Sequence, residues 1–190
     1  MAKLIEYLDE DIKSLLKNSE GKLDKLDNID VDINNPSVDI IAIAKAVGCD
    51  INYDFMVSKA GSHDFETKTI TVNVLDPEYR QRFTIAHEIG HNVYGHEGIK
   101  NRITKDQGYD KKYESTIDAL LERQANNFAS KILMPLSLLQ EVLKVLKDNN
   151  EVRNTRQVII KMAEKFNVSY IAMEYRLRAV GMIWVKMNTK

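Results

Sequence analysis

The segment RFTIAHEIGHNVYGH, residues 82–96, contains no proline and holds three of the chain's four histidines. Its pattern, unbroken until Gly95, predicts a helix that opens at Pro77, a residue the first helical turn tolerates. On a helix, positions i and i+4 share one face about 6 Å apart. His87 and His91 can therefore aim two imidazole nitrogens at one point. Glu88 stands one residue round, at the edge of that face, where it can reach a water at that point without being a ligand. H-E-x-x-H is thus two metal ligands and a general base on one rod. A helix carrying two surface imidazoles would share the spacing, but would not need the glutamate.

A catalytic zinc takes three protein ligands and keeps the fourth position for water. His63, in a turn between predicted strands, and His96, past the predicted helix end, are candidates for the third. Glu122 is preferred. It lies on a second predicted helix, STIDALLERQANNFASKILMP, whose Ile117, Leu120, Leu121, Ala125, Phe128, Ala129, Ile132 and Leu133 read as core. Ala125 and Ala129 beside it permit close approach of a neighbouring helix, and Asn126 is placed to hydrogen-bond the carboxylate. Ser115 and Asp118 form a capping box at the start of this helix, and Pro135 stops it.

Around these two helices the pattern is α+β, mostly helical with a small antiparallel sheet. Leu4, Ile5, Leu8, Ile12, Leu15 and Leu16 predict one amphipathic helix over 3–17. NSEGKLDKLDNIDVDINNP reads as a surface connection. SVDIIAIAKAVGC predicts a short helix capped by Ser37 and stopped at Gly48. INYDFMVS and KTITVNV are β-branched and aromatic and predict strands, with KAGSHDFET as the turn region between them. LSLLQEVLKVLKDNN predicts a further helix. RQVIIKMAEKFNVSYIAMEYRLRAVG reads as two helices, turning at Asn167 with Ser169 as N-cap and closing at Gly181.

A hydrophobic content of 44% and a charged content of 29% are those of a soluble globular protein. No run is long and apolar enough to span a bilayer, and the N-terminus lacks the apolar stretch of a signal peptide. The one cysteine, Cys49, excludes an intrachain disulfide and fits a reducing cytoplasm. Residues 1–50 carry 11 acidic against 6 basic residues, whereas residues 152–190 carry 8 basic against 2 acidic. That basic end and its helix-turn-helix spacing raise direct nucleic-acid binding. A helical pair closing the core is favoured, since Ile171, Met173, Tyr175, Leu177 and Val180 leave few base-reading positions.

RQRFTIAHEIGH followed by ERQANNFASKILMP resembles the ImmA/IrrE family of metallopeptidases. SVDIIAIAKAVGCDI and MAEKFNVSYIAMEYRLRAVGMI extend the resemblance over roughly residues 37–184. It implies a zincin-like metallopeptidase core over 37–150, preceded by a helix and polar linker (1–36) and followed by a basic helical pair packed on the core (151–190). It implies zinc on His87, His91 and Glu122, with Glu88 as catalytic acid/base; manganese suits the same ligands. Many members carry a histidine four residues after the second ligand, where this chain has Gly95 and then His96. His96, Tyr94, Tyr109, Tyr113 and His63 are open as oxyanion or substrate-binding groups, while Gln81 and Arg82 receive no role. The family's known targets imply a helix-turn-helix repressor encoded nearby as substrate. A non-catalytic zinc-containing regulator of a repressor or of DNA is the alternative, and the retained Glu88 speaks against it.

Overall fold

Leu4, Leu8, Ile12 and Leu16 recur every four residues and are all buried, yet they do not lie on one helix. The computed structural model describes residues 2–18, 22–96 and 117–183. In it, helix α1 (Leu4–Tyr7) ends at Leu8, whose backbone is extended (ψ 139°), and α2 (Glu10–Asn18) starts afresh. Asp9 sits at the break. One of its carboxylate oxygens accepts from the Leu136 amide at 3.1 Å and the other from the Arg176 guanidinium at 3.0 Å. The predicted single helix is therefore two, divided where distant chain engages a carboxylate. Strand β1 (Ala2–Lys3) pairs antiparallel with β2 (Asp30–Val31). The connection between them is folded rather than a bare surface loop: a 3₁₀ turn, Lys22–Asn28, buries Leu26, and Ile29 and Val31 follow it inward.

Helix α3 (Ile40–Ala46) is capped by Asp39, whose side chain accepts from the Ala42 amide at 2.9 Å; Ser37 is not the cap. The main sheet has three strands, β3 (Asp50–Asp54), β4 (Gly61–Asp64) and β5 (Thr69–Asn73), in the order β3-β5-β4. β4 and β5 form an antiparallel hairpin, in which Asp64 accepts from the Glu66 and Thr67 amides of the turn. β3 crosses to the far side of β5 and runs parallel to it. β4 and its His63 lie within the segment expected to be turn. Gly61 allows this, because a Cβ there would collide with Thr84 of the helix beneath and approach the Thr71 carbonyl to 2.8 Å.

The helices α4 (Glu78–Val93), α5 (Ile117–Leu133), α6 (Leu136–Asp148), α7 (Thr155–Phe166) and α8 (Tyr170–Ala179) make up most of the remainder. Pro77 caps α4 and Pro135 caps α6. Asn167 in the left-handed region (φ 50°) turns α7 into α8, and Ser169 caps α8 by accepting from the Ala172 amide. α7 buries Val158, Ile159, Met162 and Phe166, and α8 buries Met173, Arg176 and Leu177. Ile171 and Tyr175 face outward instead, 63% and 72% exposed, so they do not serve the core. One apolar cluster runs from Leu4 through Ile43, Ile70, Ile89, Phe128 and Leu139 to Leu177. No described helix is long and apolar enough to cross a membrane.

α4 is the centre of this arrangement. Every residue from Thr84 to His91 is buried, polar and apolar alike. Its nearest neighbour is α5, and the approach is set by Gly90. A Cβ on that residue would lie 3.0 Å from Ala125 Cα and 3.3 Å from Phe128 Cβ. On α5 Ala125, Phe128, Ala129, Ile132 and Leu133 are buried as expected, but Leu120 is 53% exposed.

Candidate metal centre

A buried polar group is costly without a partner, and a buried charge more so. α4 nevertheless buries His87, Glu88 and His91, so the groups that compensate them define the site. The first comes from across the Gly90–Ala125 contact. His87 Nε2 is 3.2 Å from Glu122 Oε2, and His91 Nε2 is 3.5 Å from Glu122 Oε1. The two Nε2 atoms face each other at 2.9 Å. One ligand atom from each of the three residues lies within 4.8 Å of the other two.

The outer ring nitrogens are also engaged. His87 Nδ1 is 2.9 Å from Asn126 Oδ1, an oxygen that only accepts, so Nδ1 carries the proton. Asn126 thus serves the His87 ring and not, as its i+4 spacing suggests, the Glu122 carboxylate. His91 Nδ1 lies 3.2 Å from His96 Nδ1, and His96 Nε2 lies 3.1 Å from Gln124 Oε1. Gln124 Oε1 also only accepts, so His96 donates from Nε2 and accepts at Nδ1 from His91. Both Nε2 atoms of His87 and His91 are then left with bare lone pairs pointing at each other. Two such lone pairs cannot sit 2.9 Å apart unless a proton or a cation lies between them. Two imidazoles and a carboxylate are a donor set that suits a divalent cation.

The proton affinities follow from the same geometry. Burial disfavours the charged form of His87, but the hydrogen bond to Glu122 and the charge of Glu88 outweigh it and raise its pKa. Burial opposes ionisation of Glu122 too, yet its contacts with His87 and His91 hold the carboxyl well below the usual carboxylate range. The pair therefore favours positive charge at the point where a cation would fit. Burial pushes the Glu88 carboxyl up, against the pull of both imidazoles.

The remaining histidines and tyrosines part company. His63, on β4, is 4% exposed, and neither of its ring nitrogens has a hydrogen-bond partner among the described residues. Burial, aided by the nearby His91, lowers its pKa from 6.5 to about 4. It stands outside the three-residue cluster, against Phe65. His96 has both nitrogens committed, and burial lowers its pKa. Tyr94 stacks on His96 with ring centroids 5.3 Å apart and meets Phe128 edge-on, as a helix-end aromatic does. Tyr109, Tyr113 and the Ser115 half of the predicted capping box lie outside the described residues. Arg82 donates to the Val38 carbonyl and Gln81 to those of Val74 and Asp76, which makes both structural. Gln124 is the site residue that spacing did not single out; its signal was a polar side chain among the apolar positions of α5.

Residues 44–178 match the family described as the IrrE N-terminal-like domain, a peptidase family. The chain belongs to this family. It is also 27% identical over 136 residues to the radiation response metalloprotease IrrE of Deinococcus radiodurans. That alignment covers 71% of this chain and 38% of the relative, so the chain spans well under half of that protein. The matched residues of this IrrE-like domain include all of α4 and α5, and with them the histidines, Glu88 and Glu122.

Proposed function

We propose that this IrrE-like domain is a zinc-dependent endopeptidase. His87, His91 and Glu122 hold the metal and Glu88 is the general acid/base. The observation that carries this assignment is the two Nε2 atoms facing each other at 2.9 Å beside the Glu122 carboxylate, each imidazole engaged on its other nitrogen by Asn126 or His96. Such a bound ion would polarise the scissile carbonyl and acidify a water. Glu88 adjoins His87 in sequence and is all but buried, so its carboxylate takes a proton from the attacking water with little competition from solvent. The same oxygen then returns that proton to the leaving amine. Manganese would suit the same donors, but two imidazoles favour zinc.

The substrate we propose is a helix-turn-helix transcriptional repressor encoded nearby, cut in the cytoplasm. This rests on the family resemblance. A regulator that used zinc only for structure would have no need of Glu88 beside the ligands, and Glu88 is a costly residue to bury. The test has two arms. Purified protein should carry about one equivalent of zinc, lost in His91→Ala. Wild type should cleave a repressor encoded beside it, whereas Glu88→Gln should keep its zinc and cleave nothing. Cleavage by Glu88→Gln would refute the role of Glu88, and a zinc-free wild type after reconstitution would refute the metal site.

A further inference from the structure

H-E-x-x-H accounts for two histidines of α4, but the chain brings a third imidazole to the same place. Gly95, at φ 69°, takes a left-handed turn that an L side chain would strain, and so ends α4 abruptly. The next amide, His96 N–H, folds back and donates to the His91 carbonyl at 2.9 Å. This reversal sets the His96 ring edge-on to the His91 ring, with centroids 5.1 Å apart and planes at 74°. Tyr94 covers one face of the His96 ring, and Gln124 receives its far nitrogen. His96 is thus held on three sides, 7% exposed, with no nitrogen left for a substrate.

We infer that His96 and Gln124 form a positioning relay that fixes which nitrogen of His91 is free to bind metal. The relay rests on the assignment of His87, His91 and Glu122 as ligands. Its direction is set at one end. Gln124 Oε1 has no proton to give, so His96 carries its proton on Nε2 and presents a lone pair at Nδ1. His91 must then carry its proton on Nδ1, and its Nε2 is left bare toward Glu122. The relay also restrains the ring, since two contacts on opposite sides of His96 prevent His91 from turning about χ2. His87 receives the equivalent support from Asn126. α5 therefore supplies one ligand and orients both of the others: Glu122, Gln124 and Asn126 are alternate residues of one helix. Because an acceptor behind a ligating imidazole makes it more basic, the strength of the Gln124 acceptor should register in metal affinity.

Zinc affinity, measured by chelator competition on the full chain, tests this with two near-isosteric substitutions. Gln124→Met removes the acceptor and should weaken zinc about 10-fold, while His96→Phe should weaken it about 10- to 100-fold. Gln124→Glu keeps the shape, strengthens the acceptor, and should bind at least as tightly as wild type. A role in packing alone would not rank Met below Glu. Nitrogen-15 correlations of the ring protons supply a second readout, expected to show His91 protonated on Nδ1 and His96 on Nε2. Wild-type affinity in Gln124→Met, an equal loss in Gln124→Glu, or a proton on Nε2 of His91 would each overturn the relay. The Gln124 variants decide the matter even if His96→Phe fails to fold. Absence of zinc from wild type would instead refute the ligand assignment itself, and the relay with it.

Discussion

The approach of α4 to α5 at Gly90 should set both the stability of the core and the grip of the site, and one substitution separates the two. A Cβ at Gly90 would meet Ala125 Cα at 3.0 Å, the Ala125 carbonyl oxygen at 3.2 Å and Phe128 Cβ at 3.3 Å. The first two are backbone atoms and cannot swing aside, so Gly90→Ala forces the helices apart by a few tenths of an ångström. Overpacking of this kind costs about 1–3 kcal/mol. Replacing a helical glycine by alanine returns about 1 kcal/mol of propensity. The net loss for Gly90→Ala is then about 0–2 kcal/mol, small enough for the protein to fold. Gly90→Val adds two further methyl groups against the same atoms and should cost about 3 kcal/mol. The site pays no such compensation. Glu122 lies one turn from Ala125, and His87 and His91 flank Gly90, so separation at the contact lengthens the span between ligands. Metal sites tolerate ligand displacements of only about 0.2 Å. Gly90→Ala should therefore lose about tenfold in zinc affinity while its metal-free form loses no more than about 2 kcal/mol in urea unfolding. The checks are urea unfolding followed by circular dichroism, and chelator competition. Gly90→Val that unfolds and binds zinc like wild type would show that this contact does not set the position of Glu122.

Three other outcomes are expected. Glu122→Ala should weaken zinc binding severely; unchanged affinity by chelator competition would return His63 to consideration as the third ligand. His63 has a pKa lowered to about 4 in the folded protein, against about 6.5 when unfolded, so the unfolded chain binds more protons between those values. Stability is complete above pH 6.5 and falls as pH drops toward 4, by up to about 3 kcal/mol from this group at about 1.4 kcal/mol per pH unit. His63→Leu should flatten that slope in urea titrations, and an identical slope would mean that His63 is not held neutral. Arg176→Met removes the buried guanidinium that bonds Asp9 and the Met134 carbonyl, and should cost about 2–3 kcal/mol in urea unfolding; a loss under about 0.5 kcal/mol would deny the tie between α8 and the α1–α2 break any structural weight.

What the sequence disclosed depended on whether the cause was local. α4 and its paired imidazoles follow from helical spacing alone, and the small residues of α5 do announce a close helix contact. Asn167 and Ser169 set the α7–α8 turn through their own backbone and side chain, and both were legible. The break at Leu8–Asp9 was not, because the apolar period runs through it in phase; Asp9 is drawn away by Leu136 and Arg176, more than a hundred residues distant. Strand β4 was hidden by Gly61 and Ser62, which score as turn. Its real requirement is steric, a strand without a side chain where it crosses Thr84. The i+4 spacing of Asn126 points it at Glu122, whereas its oxygen meets His87, since spacing on one helix says nothing of the imidazole facing it from another.

The placement of polar groups explains why the site stands on two helices and not on loops. α4 is buried on every side from Thr84 to His91, so any rotation or slide that exposed His87, Glu88 or His91 would also expose Ile85 and Ile89. Conversely, the apolar packing around α4 is compatible with its two buried imidazoles only while α5 presents Glu122, Gln124 and Asn126 to them, Gln124 acting through His96. The polar set and the apolar set constrain the same two rigid bodies, and each is satisfied at one relative position. That position is the one at which Gly90 touches Ala125. Ligand geometry is thus inherited from backbone contact, which is stiff, and not from side-chain rotamers, which are soft. On the proposed assignment Glu88 shares this rigidity without being a ligand, and would receive and return a proton at a fixed place while its neighbours hold still.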